Sequence, residues 1–332
     1  MNEHRGLTAV RKAGLPPLLK SIAVRKAGLP PLFSSFLITL TILLSLAVIS
    51  ATTSAQRTST PALTITTEPN AIIWLDEIRR GTTDASGKLA ITRITPGRHT
   101  LRVRANGFKE VTVPLLPGKR TAAVKLVRST DAAELAFQRA ETAREQAKTE
   151  EAQRHAVELY REALRLRPAY PAARVGLARV LLELNEYPEA LAEIEAARRT
   201  RPAYAEASAV EGRIHREGAF DDKAMASFRR AIREGKGVQP EAHVGLARVL
   251  EEKGQLDEAV AEYQKALAQL SDSEPVIYQL LGAAYEKQQK YKEALAAYEK
   301  YLALAPNGSL APALRSIVEQ LRRDAAGQEI IP

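Results

Sequence analysis

Three regimes of hydrophobic patterning follow one another along the chain. The first is an almost unbroken apolar run at residues 36–49 (FLITLTILLSLAVI), inside a stretch from residue 27 to residue 56 without a charged side chain. Its dense core of about 14 residues has the length of an export-signal hydrophobic region. Extended through Leu32 and Ala51 it reaches about 20, enough to span a bilayer. The second regime alternates with period two: LTITT from Leu63, AIIWL from Ala71, LAIT from Leu89, HTLRVR from His99, VTVPL from Val111 and AVKL from Ala123. Turn residues separate these runs, at residues 68–70 (EPN), Gly81, Ser86-Gly87, Pro96-Gly97, Asn106-Gly107 and Pro117-Gly118. Short alternating strands at this spacing predict a small antiparallel β-sandwich. The third regime begins after Ser129-Thr130-Asp131, a helix-cap sequence, and carries helical periodicity nearly to the end.

The helical regime repeats itself. The hexapeptide GLARVL stands at residues 176–181 and again at 245–250. Small residues recur at Ala156, Ala190, Ala224, Ala259 and Ala294, at intervals of 34, 34, 35 and 35. Four positions beyond each is a large apolar side chain: Tyr160, Ile194, Phe228, Tyr263 and Tyr298. Three further on stand Ala163, Ala197, Ala231, Ala266 and, breaking the pattern, Tyr301; Pro168, Pro202 and Pro306 follow three of the units. The physical reading is a stack of helix pairs. Small residues let helices approach, one large residue per unit fills the gap toward the next, and proline stops the second helix. Asn185, Gly218 and Gly254 stand where the first helix of a unit must turn into the second, as residues tolerant of the left-handed conformation. This pattern resembles the tetratricopeptide repeat, across roughly residues 131–324. Arg144 occupies a position that is usually small, so the opening helix matches poorly, and Leu314, Ile317 and Leu321 mark a solvating cap helix.

The alternating region carries a second resemblance. Pro69-Asn70-Ala71 precedes the strand IIWLD, followed by Gly81-Thr82-Thr83, then Pro96-Gly97-Arg98-His99 and Asn106-Gly107-Phe108. In these features residues 63–127 resemble the PEGA domain, a bacterial envelope module. Asn70 and Glu77 depart from the family's glycines. The resemblance implies a β-sandwich adaptor without catalytic residues.

Charge changes the picture at the amino-terminal end. Residues 1–130 hold 19 basic and 6 acidic side chains, whereas residues 131–332 hold 29 basic and 33 acidic ones. Arg5, Arg11, Lys12, Lys20, Arg25 and Lys26 precede the apolar run, the arrangement that exports the chain downstream of it. Thr53-Ser54-Ala55 offers a cleavage site before Gln56, so both outcomes stay open: cleavage after about Ala55, or retention as a single-pass anchor in the cell envelope. The decapeptide AVRKAGLPPL occurs twice in the leader, at residues 9–18 and 23–32, readable either as a twin membrane-surface motif or as a tolerated duplication. The chain has no cysteine, which excludes disulfides, thiolate metal sites and a cysteine nucleophile.

Candidate chemistry is confined to charged faces. Period two places Arg98, Arg102 and Arg104 on one strand face, opposite His99, Leu101 and Val103, with Trp74 pointing outward as an exposed anchor. Residues 57–128 hold 13 basic and 5 acidic side chains, a surface suited to an anionic envelope polymer or lipid head groups, or a solvated face that protects an edge. In the repeats, the resemblance implies that ligands lie against the inner face of the first helices. The ninth position there is Arg179, Arg213 and Arg248, with Arg216 nearby, a guanidinium ladder that could grip a partner's carboxylates. Glu183, Glu217 and Glu252 stand four residues after these arginines, so the opposing expectation is self-pairing within each helix.

The five histidines show no metal-ligand spacing, and no phosphate-binding loop or nucleophile elbow is present. No catalytic group, cofactor, metal or nucleic-acid partner is expected. The predicted organisation is a leader and export segment at residues 1–56, a PEGA-like sandwich at 63–127, about five helix pairs with a cap helix at 131–324, and a tail at 325–332. The function expected is a non-catalytic exported scaffold binding a protein or peptide in the bacterial envelope. The alternative is a tethering module whose sandwich binds anionic polymer or lipid.

Overall fold

The computed structural model describes residues 63–270 and 272–328, so the leader, the apolar run and the linker after it lie outside the described residues. No helix among the described residues is long and apolar enough to cross a membrane.

Seven strands form two small sheets. Strands β1 (Leu63–Thr66), β4 (Lys88–Ile91) and β7 (Thr121–Ala123) make one, in the order β4-β1-β7. Strands β2 (Ile72–Leu75), β3 (Ile78–Thr82), β5 (His99–Arg104) and β6 (Val111–Leu115) make the other, in the order β3-β2-β5-β6. Alternation puts Leu63, Ile65, Ile73, Leu75, Leu101 and Val103 into one shared core between the sheets. Two features differ from the expected antiparallel sandwich. β1 pairs with β7 in parallel, so that sheet is mixed. β3 is an additional edge strand, whose sequence IRRGT lacks apolar alternation and therefore carries no strand signal. The turn from β2 to β3 holds Asp76 at φ 53° and Glu77 at φ 64°, the left-handed geometry of a two-residue hairpin. Asp76 anchors it, accepting from Thr100 N–H at 2.8 Å and lying 2.6 Å from His99 Nδ1.

Eleven helices follow among the described residues: α1 (Ala132–Gln146), α2 (Glu150–Leu166), α3 (Pro171–Glu183), α4 (Tyr187–Thr200), α5 (Ala205–Glu217), α6 (Asp221–Glu234), α7 (Pro240–Glu252), α8 (Leu256–Leu270), α9 (Val276–Lys287), α10 (Tyr291–Leu304) and α11 (Ala311–Gln328). They pack as five consecutive antiparallel pairs closed by α11, which buries Leu314, Val318 and Leu321 and runs past its expected end at residue 324. The Asp131 side chain caps α1 by accepting from Ala133 and Glu134 N–H.

The large residue of each unit is fully or almost fully buried: Tyr160, Ile194, Phe228, Tyr263 and Tyr298. Glycine lets backbone meet ring. A Cβ on Gly212 of α5 would stand 2.6 Å from the Phe228 ring, and one on Gly245 of α7 only 2.3 Å from the same ring on its other side. Gly176 meets Tyr160, and Gly282 meets Tyr298, in the same way. Three of these aromatics are tyrosines whose hydroxyls reach first-helix glutamates: Tyr160 to Glu141, Tyr263 to Glu251 at 2.9 Å, and Tyr298 to Glu286. Burial, reinforced by these carboxylates, raises all three phenol pKa values well above the usual range. Arg144, at the position expected to be small, donates to the Tyr160 hydroxyl at 3.2 Å.

Each of four first helices ends in the same cap. The N–H donors of Glu186, Phe220, Gln255 and Lys290 reach back to the carbonyls of Leu181, His215, Leu250 and Tyr285 at 2.8–2.9 Å. The left-handed residues are Asn185, Ala219, Gly254 and Gln289. In the third unit the expected Gly218 is therefore not the left-handed residue: it has φ −81°, and Ala219 takes φ 58°.

Two substitutions should act in opposite directions. Gly245→Ala pushes a methyl into the buried Phe228 ring and should lower stability by about 1–3 kcal/mol. Ala219→Gly removes Cβ strain at a left-handed residue and should raise it by about 0.5–1 kcal/mol. Denaturant unfolding of both variants measures the pair; equal and small effects would contradict the packing and cap assignments.

Candidate functional site

The first helices α1, α3, α5 and α7 lie along one another, and their charged side chains converge on that face. Arg179 of α3 forks onto Glu241 of α7, with Nη1–Oε1 and Nη2–Oε2 both at 2.8 Å. Arg213 of α5 donates to the same Glu241 at 3.3 Å, and Arg179 also reaches Glu206 of α5 at 3.4 Å. The Arg179–Glu241 bond skips a whole unit, which requires that the stack curve and that this be its inner face.

The arginines at the ninth position thus share a face, but their partners are not those expected from helical spacing. The ion pairs of Arg179 and Arg213 run to the first turns of later helices, and the expected Glu183 and Glu217 are not among their partners. Arg216 pairs with its neighbour Glu217. Arg248 is exposed and makes no ion pair among the described residues. Curvature explains the difference: it brings the first turn of α7 within bonding reach of Arg179. Glu206 and Glu241 are the residues that reasoning from the sequence misses. They occupy equivalent positions in consecutive units, six before Gly212 and Ala247, so aligning acidic as well as basic positions would find them.

Burial alone would raise the Glu241 carboxyl, but the Arg179 fork, with Arg213 behind it, brings its pKa down to about 2. The inner-face charges are therefore locked as ions at neutral pH.

The arginines of the sandwich are also placed by the structure. Arg102 and Arg104 leave the sandwich core on the face opposite His99, Leu101 and Val103. Arg102 pairs with Glu77 at 2.9 Å and Glu110 at 3.4 Å; Arg104 pairs with Glu110 at 2.8 Å and with Glu141 of α1 at 3.5 Å. Trp74 is half-buried rather than a free anchor, with the guanidiniums of Arg102 and Arg104 over its ring at 4.1 and 5.0 Å. Arg98 is exposed and unpaired among the described residues. Much of this face is thus a seam with α1. Gln138 of α1 accepts from Gly107 N–H at 2.7 Å and donates to the Phe108 carbonyl at 2.8 Å, while Arg104 lies over the Phe137 ring at 5.0 Å.

Because the Glu241 pKa is depressed in the fold, its contribution is complete above the ordinary carboxylate range near 4.5 and is lost as pH falls toward 2. Glu241→Gln should cost on the order of 1–3 kcal/mol at pH 7, allowing for screening of a partly exposed pair, and should flatten the acid dependence between pH 4.5 and 2. Urea unfolding across that range checks this; an unchanged pH slope would contradict it.

Residues 143–214 and 238–307 each match a family model described as tetratricopeptide repeat. Among solved structures, PilF of Pseudomonas aeruginosa aligns at TM-score 0.50 with 17% identity, over 59% of this chain and 86% of that one. A thermophilic TPR protein of Thermus thermophilus aligns at TM-score 0.48 with 23% identity, over 57% of this chain and 98% of that one. YrrB, described as a TPR protein with an unusual peptide-binding site, aligns at TM-score 0.40 with 20% identity, over 57% and 94%. No curated protein matches the chain. At these identities the structural likeness is one of fold; the two family matches identify residues 143–214 and 238–307 as tetratricopeptide repeats.

Proposed function

We propose that the chain is a non-catalytic, exported scaffold whose repeats hold a protein or peptide partner in the cell envelope. The observation that carries this reading is the curved inner face of the repeats, where Arg179, Arg213, Arg216 and Arg248 stand at equivalent or neighbouring positions on α3, α5 and α7. Arg248 is the open rung of that ladder, and Arg216 adjoins it. Arg179 and Arg213 hold the face in shape through Glu241 and are less available to a ligand carboxylate. Export is supported by the basic leader before the apolar run at residues 36–49. The PEGA-like features of residues 63–127 support an adaptor role for the sandwich.

Tethering to an anionic polymer through the sandwich has weaker support. Arg102 and Arg104 are already neutralised by Glu77, Glu110 and Glu141, and Arg98 is the one member of the expected trio left open.

Affinity capture of the tagged full chain from envelope fractions tests the scaffold reading. A specific partner should be recovered, and the R213E/R248E variant should lose at least ten-fold of it while keeping its helical circular dichroism. Undiminished recovery by that variant would contradict the inner-face assignment. Intact mass of the mature chain separates cleavage before Gln56 from retention of the apolar segment.

A further inference from the structure

The inner face of the repeats already has an occupant. Ile78 stands at the tip of the β2–β3 hairpin, directly after the left-handed Asp76 and Glu77, yet it does not join the core of the sandwich. It is only 6% exposed and belongs to the hydrophobic cluster of the last repeats. Helices α7 and α9, both first helices, contribute Val244, Ala247, Leu280 and Leu281 to that cluster. Beside this contact Arg93, in the loop after β4, reaches Asp272, in the loop between α8 and α9, at 3.3 Å. Asp272 is itself fixed by the Tyr278 hydroxyl at 2.5 Å and Lys300 at 2.9 Å.

The opposite side of the sandwich is fixed to the first unit. The turn between β5 and β6 is bonded to Gln138, and Arg79 of β3 pairs with Glu145 at the end of α1 at 2.8 Å. A single small domain therefore touches both the first helix pair and the fourth and fifth, bridging the mouth of the curve. Its charged contacts among the described residues all run one way, with arginines from the sandwich meeting acids from the repeats: Arg79 with Glu145, Arg104 with Glu141, and Arg93 with Asp272. That direction agrees with the charge imbalance between the two halves of the chain.

The two attachments differ in kind. At α1 the sandwich is held through its backbone, by bonds to Gly107 and Phe108 as well as by charge. At the far end the contact is one aliphatic side chain and one ion pair whose arginine is 70% exposed. Such a surface pair is weak. The far end is the one that can release, with the α1 seam acting as the hinge.

We propose that the sandwich is an intramolecular ligand of its own repeats, and that an external partner gains the inner face by displacing the Ile78–Arg93 end. The inference rests on the scaffold reading above and deepens it. The seat fixes the chemistry of the competitor: a turn or short hairpin presenting an aliphatic side chain, as Ile78 does, with a cation beside it, as Arg93 is. Binding is then coupled to opening, so the affinity of the closed chain is reduced by the fraction of time that it is open.

The absence of cysteine permits a direct test in the full chain. Thr92→Cys and Ser273→Cys place labels beside Arg93 and Asp272, at exposed positions. Energy transfer between them should be high in the otherwise unaltered chain and should fall several-fold on adding I78D/R93E, with helical circular dichroism retained. If that pair impairs folding, I78A/R93A gives the same readout. The probe ligand is a synthetic peptide of residues 71–82 cyclised across its strand ends. It should bind the opened variant at least ten-fold more tightly than the closed chain. Unchanged transfer in the opened variant, or equal binding of the peptide to both forms, would overturn the proposal. Partner capture from the envelope is a separate readout, whose failure counts against the scaffold reading alone.

Discussion

Phe228 lies between two glycines, Gly212 of its own unit and Gly245 of the next, close enough that neither could carry a methyl group. Tyr160 and Tyr298 press on Gly176 and Gly282 in the same manner. In three of the five units one large buried ring, against backbone rather than side chain, fixes the distance between neighbouring helices. Close-packed interiors do not yield to such contacts without cost. With that distance repeated at nearly constant sequence intervals, each first helix lies along the next and the stack curves. The inner face, its charges and its occupant all depend on this spacing.

Curvature then decides which charges meet. On a straight isolated helix Arg179 would be near Glu183; on the curved stack it forks onto Glu241, two units on. Glu241 collects two arginines from two helices, and so ties three consecutive units together on the side where the curve is tightest. The same face meets the sandwich through Glu141 and Arg104. What looks in one dimension like a ladder open to ligands is in three dimensions a network that is largely satisfied from within. On the proposed reading a partner would have fewer open groups to recognise, with Arg248 foremost among them, and would contend with the sandwich for the apolar seat in the last repeats.

How much of this was legible depends on the range over which each interaction acts. The repeat period, the buried aromatics and two of the four left-handed cap positions, Asn185 and Gly254, could be read because each depends on residues within one unit or its neighbour. Ala219 escaped because glycine stands one residue earlier and is the usual choice at a left-handed position. The core strands of the sandwich could be read from alternation, whereas β3 could not, since its apolar residue Ile78 faces the repeats and Arg79 faces Glu145 of α1. The face carrying Arg102 and Arg104 was recognised correctly as a face, but its neighbour α1 is distant information. Ile78 could not have been placed at all: its partners, such as Leu281, lie some two hundred positions further along the chain.

Sandwich and repeats are expected to unfold as one cooperative body, because the small domain is held at both ends of the curve. Trp74, the single tryptophan, reports on the sandwich from beneath Arg102 and Arg104, while helical circular dichroism reports on the repeats. Following both through denaturant unfolding of the full chain tests the claim most directly. Coincident transitions are predicted; a tryptophan transition at clearly lower denaturant, with the helices intact, would show that the sandwich is an independent domain and contradict the account.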